Sequence, residues 1–594
     1  MTHTDILPVA SHEFRLEGDP GAFQVNLSRE QIALGLQTVT VTLTAARPAP
    51  PPNVKIVWSH PDVDIQASWT PAAGRDRGIT YRLGKGFPSK ATNHAPVVCL
   101  YSQPGANRLT FAASDALHGL RCAAALIEET AEFECSVTLF ADPSPPIKRY
   151  ELTLWVDTRD IPYFDALHGV SDWWARLPGY EPCHVPETAR RPMYSTWYSF
   201  HQAISPESVL EQCRLAKPLG CGAVIVDDGW QTLDGARGYA YCGDWRPERI
   251  PDMRAFVDAV HAEGMAFLLW YSVPFIGRHS DAYQKFQGKF LADSDHFGAA
   301  ILDPRFPEAR EYLIGIYERA LREWGLDGFK LDFVDSMGDT EEAAGLIGGG
   351  RDYDSVSEAA DRLLTDVMAR LRAINPDVMI EFRQSYIGPL MRKYGNLFRA
   401  GDCPNDAVTN RLRVLDIRLL SGDTPAHADM LMWSPLEPVE AAALQLLNVL
   451  FSVPQISVLL DRIPEDHRAM LLFWMGFWTA HREALLDGRL EPLQPDLCYP
   501  MVRSFTDREL VAAIYSESAL LPLDGVGERD VFVVNGTRAG RLALELLEDL
   551  GERRLQVLDC RGELMRDERI TLCAGLHAFA VPPAGVWQCV RNFE

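Results

Sequence analysis

Trp324-Gly-Leu-Asp-Gly-Phe-Lys-Leu-Asp-Phe-Val-Asp335 is the stretch from which the rest of the chain is read. Gly325 and Gly328 frame a short apolar run in which Lys330 and Asp332 stand two apart. Residues two apart in a strand point to one face, so the spacing predicts that Lys330 and Asp332 project together while Phe329, Leu331 and Phe333 pack the other way. A β/α barrel carries catalytic groups at the C-terminal ends of its strands, which suits a carboxylate beside an ammonium. A neighbouring Lys⁺ keeps Asp332 ionised at neutral pH, as a carboxylate nucleophile requires. The alternative for the same residues is a buried Lys–Asp ion pair without chemistry.

Outward from this stretch, residues 193–488 alternate short apolar runs with longer amphipathic segments. Candidate strands are 194–198, 223–226, 266–270, 328–334, 378–382 and 397–399, with two weaker signals at 426–431 and 456–460. Helical patterns at 206–219, 253–263 and 307–324 lie between them; Pro307 suits a helix start and Gly325 a helix end. Eight strand–helix alternations in roughly 290 residues are what a (β/α)8 TIM barrel needs. Residues 1–160 read as strands instead. Gln37-Thr-Val-Thr-Val-Thr-Leu-Thr-Ala45 and Glu134-Cys-Ser-Val-Thr-Leu-Phe140 alternate with period two, and prolines at 48–52 and 143–146 mark stiff turns. An antiparallel β-sandwich is expected there, with 161–192 as a bridge to the barrel. Period two returns in 489–594, at 509–515, 531–535 and 585–590, and predicts a C-terminal antiparallel β-domain. The fold class is therefore multidomain, α/β plus β.

The chain has 594 residues, is 47% hydrophobic and 23% charged, and carries a formal charge of -24, so nucleic acid and anionic membranes are not expected partners. No apolar run reaches the length of a membrane span. Residues 1–10 show neither a basic n-region nor an apolar h-region, and the twelve Cys include no CxxC pair. Both features predict a cytoplasmic enzyme with reduced thiols.

Three further motifs carry polar groups at predicted strand ends. Val226-Asp-Asp-Gly-Trp230 offers two carboxylates, Asp227 and Asp228, pointing in different directions, which suits neighbouring sugar hydroxyls; Trp230 would give the ring an apolar face. A turn in which Asp caps the next helix is the alternative. Phe398-Arg-Ala-Gly-Asp-Cys-Pro-Asn-Asp406 follows the sixth strand, so Asp402 and Asp332 would flank one small substrate from two strands. A retaining glycosidase needs two carboxyls about 5–5.5 Å apart. Arg399 would pair with Asp402 or orient a hydroxyl, and Asp406 is a further candidate for substrate binding. Trp197 in Tyr194-Ser-Thr-Trp-Tyr198 and Trp270 in Leu268-Leu-Trp-Tyr271 bring aromatic rings to strand ends, for sugar stacking or for core packing. His201, His427 and His467 lack metal-ligand spacing, and there is no H-E-x-x-H or GxSxG pattern, so neither a catalytic metal nor any other cofactor is expected.

In this order, Trp197, Asp227-Asp228-Gly-Trp230, Lys330-Leu-Asp332 and Arg399-Ala-Gly-Asp402 resemble glycoside hydrolase family 36, the melibiase-like α-galactosidases. Leu302-Asp-Pro-Arg-Phe-Pro-Glu-Ala-Arg-Glu-Tyr-Leu313 is similar to the family's segment before the nucleophile strand. The resemblance spans nearly the whole chain and implies an N-terminal β-supersandwich, the barrel and a C-terminal β-domain. It implies Asp332 as nucleophile and Asp402 as general acid/base. It also implies Asp227 and Asp228 on the sugar's 4- and 6-hydroxyls, with Lys330, Arg399 and Trp230 lining the same subsite, and no cofactor. The family often forms homo-oligomers.

Two departures bear on substrate choice. Where the family has a Cys- and Gly-rich run, this chain has Ile380-Glu-Phe-Arg-Gln-Ser-Tyr-Ile-Gly388, and after strand three it has Tyr271-Ser-Val-Pro274 in place of acidic residues. Arg383 would narrow the pocket or meet an anionic group on the sugar. Alternatively it is consumed in an ion pair with Glu381, itself a candidate for substrate contact. The expected function is a retaining exo-α-glycosidase, with α-galactosidase as the default and oligosaccharides or glycosides as substrates. Alternatives are an α-glycosidase or transglycosylase acting on another sugar (an α-N-acetylgalactosaminide, an α-glucoside or an anionic sugar). Others are a metal-dependent hydrolase built on Asp227, Asp228, His201 and His427, and a non-catalytic carbohydrate-binding barrel.

Overall fold

Eight parallel strands form the centre of the computed structural model: β1 (Met193–Ser195), β2 (Ala223–Val226), β3 (Ala266–Ser272), β4 (Gly328–Asp332), β5 (Met379–Arg383), β6 (Leu397–Arg399), β7 (Ala426–His427) and β8 (Gln455–Ile456). The structure describes residues 12–81, 85–236, 239–338, 340, 343 and 345–591. The strands run in the order β7-β6-β5-β4-β3-β2-β1-β8. A parallel bridge between His427 and Val453 joins the two ends, so the ring closes as a (β/α)8 barrel. Strands covered on both faces carry continuous apolar runs, as Ala223–Val226 does, with every residue buried.

The helices begin where the side chains supply caps. Ser205 accepts from the Ser208 amide and Ser208 returns the bond, opening Pro206–Ala216. Asp252 caps Met253–Ala262, Ser355 caps Val356–Ile374 and Asp406 caps Ala407–Ser421. Pro307–Arg319 runs on as a π-turn through Ala320–Trp324 and stops at Gly325, whose φ of 73° needs no Cβ.

Several boundaries differ from the sequence reading. β1 stops at Ser195 because Trp197–Phe200 coils into a helical turn. β4 stops at Asp332 because Phe333 takes a left-handed φ of 61°. Between β3 and Pro307 the chain inserts a ribbon, Phe275–Gly277, Ala299–Leu302 and Phe290–Ser294, that the sequence did not announce.

Before the barrel, two wholly antiparallel sheets of five and six strands stack around Val39, Val41, Leu43, Trp58, Phe111 and Leu152. After it come a seven-stranded and a three-stranded sheet. Both are mixed rather than purely antiparallel, because Glu509–Ile514 runs parallel to Asp530–Asn535 and Leu521–Leu523 parallel to Arg541–Leu546. One buried cluster ties the three regions together. Asp416, on a barrel helix, accepts from Arg77 Nη2 at 2.6 Å, from Trp69 Nε1 at 3.1 Å and from the Tyr499 hydroxyl at 2.6 Å. All twelve cysteines are unpaired. Among the described residues no helix is long and apolar enough to cross a membrane.

Candidate active site

The C-terminal ends of β2 to β6 deliver polar side chains into one mouth. Lys330 and Asp332 lie on one face of β4, as their spacing requires, but they do not bond to each other. Lys330 Nζ reaches across to Asp227 Oδ2 at 2.5 Å, a contact buried on both sides. The sequence reading is corrected here: the cation that bonds Asp332 is Arg383, whose Nε donates to Asp332 Oδ1 at 2.8 Å. Glu381, offered as the partner of Arg383, instead accepts from Gln455 Nε2 at 2.5 Å and lies 3.5 Å from Arg399 Nε. Glu381 is fully buried deeper in the barrel, whereas Arg383 stands at the strand end and reaches sideways to β4.

Asp332 Oδ1 also accepts from the Tyr386 hydroxyl and from the Phe333 amide at 2.8 Å, a donor turned back by the left-handed φ of Phe333. Among the described residues Oδ2 accepts only from Trp270 Nε1, at 3.2 Å. One oxygen is thus saturated with donors and the other keeps a lone pair for bond formation. Burial pushes this carboxyl up, but Arg383, Lys330 and the Tyr386 and Trp270 hydrogen bonds outweigh it and hold Asp332 well below the usual carboxylate range. It is ionised at neutral pH.

Asp402 lies beyond β6 with its side chain 52% exposed, and Oδ1 accepts from Arg399 Nη2 at 2.9 Å. Burial raises its pKa, but the charges of Arg399, Lys330 and Arg383 prevail and lower it. Arg399 is the hub behind it: Nη1 donates to Asp429 Oδ1 at 2.5 Å, and Asp429 Oδ2 in turn accepts from the Tyr198 hydroxyl at 3.0 Å and the Cys403 amide at 2.6 Å. Asp228 is the reverse case. Gln202 and Gln231 donate to its two oxygens at 2.8 and 2.7 Å, yet desolvation dominates and raises it to about 6. Asp227 Oδ1 accepts from the Asp228 amide at 2.9 Å, so the adjacent carboxylates diverge as expected.

Besides Glu381, three candidate residues do not line the mouth. Trp230 is 0% exposed: its indole donates to Trp270 O at 2.9 Å and packs against Trp245, Tyr271 and Trp324, so it offers no face to a sugar. Arg399 is likewise 0% exposed and reaches the mouth through the carboxylate of Asp402 that it bonds. Asp406 caps its helix through the Thr409 amide at 3.0 Å and pairs with Arg75 from the N-terminal sheets. Trp270 is buried and donates to Asp332 rather than offering a ring face to the mouth. Trp197 is half-buried beside His201, 4.7 Å between ring centroids.

Tyr386, Asp429, Gln202 and Tyr239 were missed. The last stacks near Trp270, and the charges of Asp228 and Asp332 both raise its hydroxyl pKa behind a larger burial effect. Asp429, an acid inside the apolar 426–431 run, was the one legible signal among them. His427 is fully buried; its Nε2 lies 2.8 Å from Ala189 O and its Nδ1 3.2 Å from Gln455 Nε2. Among the described residues no three His, Cys, Asp or Glu side chains stand where they would hold a metal ion.

No protein-family model matches the chain. Among curated proteins it is 27% identical over 198 residues to an A type blood α-D-galactosamine galactosaminidase of Flavonifractor plautii, covering 30% of this chain and 17% of that one. It is 26% identical over 227 residues to an α-galactosidase of Escherichia coli, covering 36% and 30%. The matched stretches thus span less than a third of either relative. Among solved structures, the α-galactosidase of Lactobacillus brevis superposes with a TM-score of 0.63 at 15% identity, over 98% of this chain and 87% of that one. The family 36 α-galactosidase AgaA of Geobacillus stearothermophilus, in complex with 1-deoxygalactonojirimycin, gives 0.62 at 14% identity, over 98% and 87%. The chain has the fold of the glycoside hydrolase family 36 α-galactosidases. Within that family 36 fold, Asp332 stands at the end of the fourth barrel strand and Asp402 just beyond the sixth.

Proposed function

We propose that the chain is a retaining exo-α-galactosidase that hydrolyses terminal α-linked galactose from oligosaccharides or glycosides. The observation that carries this reading is the asymmetric carboxylate of Asp332, ionised, saturated at Oδ1 and open at Oδ2, with the exposed Asp402 two strands away. Oδ2 attacks the anomeric carbon as the C1–O bond breaks, and Asp402 delivers its proton to the leaving oxygen. Asp402, now a base, takes a proton from water, whose oxygen displaces Asp332 from C1; two inversions give retention. Asp227 and Asp228 accept from sugar hydroxyls, and the Lys330 ammonium bonded to Asp227 Oδ2 holds that carboxylate in place.

The galactosaminidase relative raises the question of a 2-amino sugar. C2 adjoins the carbon that Asp332 attacks, so the Arg383 guanidinium bonded to Asp332 would face the C2 substituent. A cation there disfavours an ammonium and favours a hydroxyl. Transglycosylation uses the same groups with a sugar hydroxyl in place of water. A cytoplasmic setting accords with twelve unpaired thiols.

Turnover of 4-nitrophenyl α-galactoside, compared with the α-glucoside, the α-galactosaminide and the α-N-acetylgalactosaminide, tests the reading. The galactoside should have the highest kcat/KM, and Asp332→Asn should lower its turnover about a thousandfold or more. Activity retained in Asp332→Asn, or a preference for another glycone, would overturn it.

A further inference from the structure

A cavity of about 380 Å³ opens beside Asp402, between the barrel mouth and the N-terminal sheets. Larger cavities lie within the N-terminal sheets, about 500 Å³, and under the barrel near Arg418, about 440 Å³; neither is lined by Asp332 or Asp402. The cavity beside Asp402 is roofed by Pro71, Ala72 and Gly74 and floored by Arg383, Asp402 and Arg413. The leaving group must occupy this side of the site, since the bond it leaves through is the one that Asp402 protonates.

The charges of this cavity are not balanced. Its carboxylates are Asp402 and Asp416, and both already have guanidinium partners, Arg399 at 2.9 Å and Arg77 at 2.6 Å. Arg413 has none among the described residues. Its single hydrogen bond to a described residue runs from Nη1 to the Asp402 carbonyl at 3.0 Å, so four N–H donors have no described protein partner. Gly401 leaves room beside it, since a Cβ there would stand 3.2 Å from Arg413 Nη1. Arg383 bonds Asp332 through Nε, and its Nη2 donates to no described protein group. Two guanidinium groups with spare donors thus border one half-enclosed space, and a planar fork of this kind matches a carboxylate.

We propose that this cavity is a leaving-group subsite for an acidic sugar, with Arg413 binding the carboxylate of a hexuronate linked to the galactosyl unit. The subsite rests on the α-galactosidase reading, and the two are separable by experiment. Galactose release is measured from α-1,3- and α-1,4-linked galactosyl-hexuronate and from the matching neutral galactosyl-hexose, at low ionic strength. The wild type should favour the hexuronate at one linkage or both. Arg413→Gln should lower the hexuronate-to-hexose ratio of kcat/KM at least tenfold, and Arg413→Lys should lower it less. A merely structural role for Arg413 would lower both substrates together and leave the ratio fixed. A wild type without preference, or a ratio unmoved by Arg413→Gln, overturns the subsite while the α-galactosidase reading stands. Absence of galactose release from every substrate overturns both.

Discussion

Asp402 has the harder task of the two central carboxylates. In the proposed mechanism it carries a proton into the first step, yet Arg399 favours its ionised form. Asp429 offsets that cation from behind. In Asp429→Asn the charge of Arg399 falls on Asp402 less compensated, so the pKa of Asp402 drops further. The alkaline limb of kcat/KM, where the protonated acid is lost, should move to lower pH, and Asp402→Ala should lack that limb for activated aryl substrates. An unmoved or raised limb would contradict the placement of Asp429. Asp228 shows the opposite balance. Its folded pKa is raised to about 6, above the ordinary 3.8, so the linkage favours the fold below about pH 3.8 and that contribution is lost as pH rises through 6. At pH 7–8 the buried charge costs on the order of 2–3 kcal/mol. Asp228→Asn should therefore raise the thermal midpoint by a few degrees at pH 8 while lowering kcat/KM, because the glutamines that face it can present either amide end. A lower midpoint at pH 8 would show that burial of the charge is not what raises this pKa.

At the scale of the elements, β4 depends on Gly328. A Cβ there would stand 2.3 Å from the carbonyl oxygen of Met379, inside the β4–β5 pairing that sets Lys330 beside Glu381. Gly328→Ala should cost about 1–3 kcal/mol and lower activity with it. Gly476→Ala, within the helix Glu465–Ala480 and facing open space, should be neutral or stabilise by about 0.5–1 kcal/mol. Urea unfolding of the two variants checks both, and equal effects would contradict the difference in packing.

The barrel was legible because parallel strands buried on both faces leave apolar runs in the sequence. β2 and β6 fell on their predicted residues, while β7 and β8, two residues each, carry almost no pattern of their own. The ribbon at 275–302 was not legible, since strands of three to five residues interrupted by polar turns show no period. Lys330 and Asp332 were read to the same face correctly, but which partner each takes depends on strands 50 to 100 residues away. Trp230 was misread because an aromatic ring after two carboxylates looks the same in sequence whether it faces a sugar or the core. Strand direction leaves no periodic mark, so the parallel pairs among the C-terminal sheets were invisible as well.

Across the whole molecule, the N-terminal sheets, the barrel and the C-terminal region meet at Asp416. Arg77, Trp69 and Tyr499 all converge on its carboxylate, and the same N-terminal segment supplies the roof over the cavity beside Asp402. Asp416→Ala strands a buried guanidinium and two polar donors, which should cost about 3–5 kcal/mol. Calorimetry should show a lower midpoint for the unit that contains the seam, and a loss below about 1 kcal/mol would mean that water replaces the carboxylate. The seam thus links stability to the shape of the leaving-group side of the site.

The central claim is that Asp332 forms a covalent bond to the sugar. Incubation with 5-fluoro-α-galactosyl fluoride, which slows the second displacement, followed by peptic digestion and mass spectrometry, tests it most directly. One fluorogalactosyl unit on the peptide that contains Asp332, absent from Asp332→Asn, is the predicted result. Turnover of the fluoride with release of the inverted anomer and no adduct, or an adduct on another carboxylate, would contradict it.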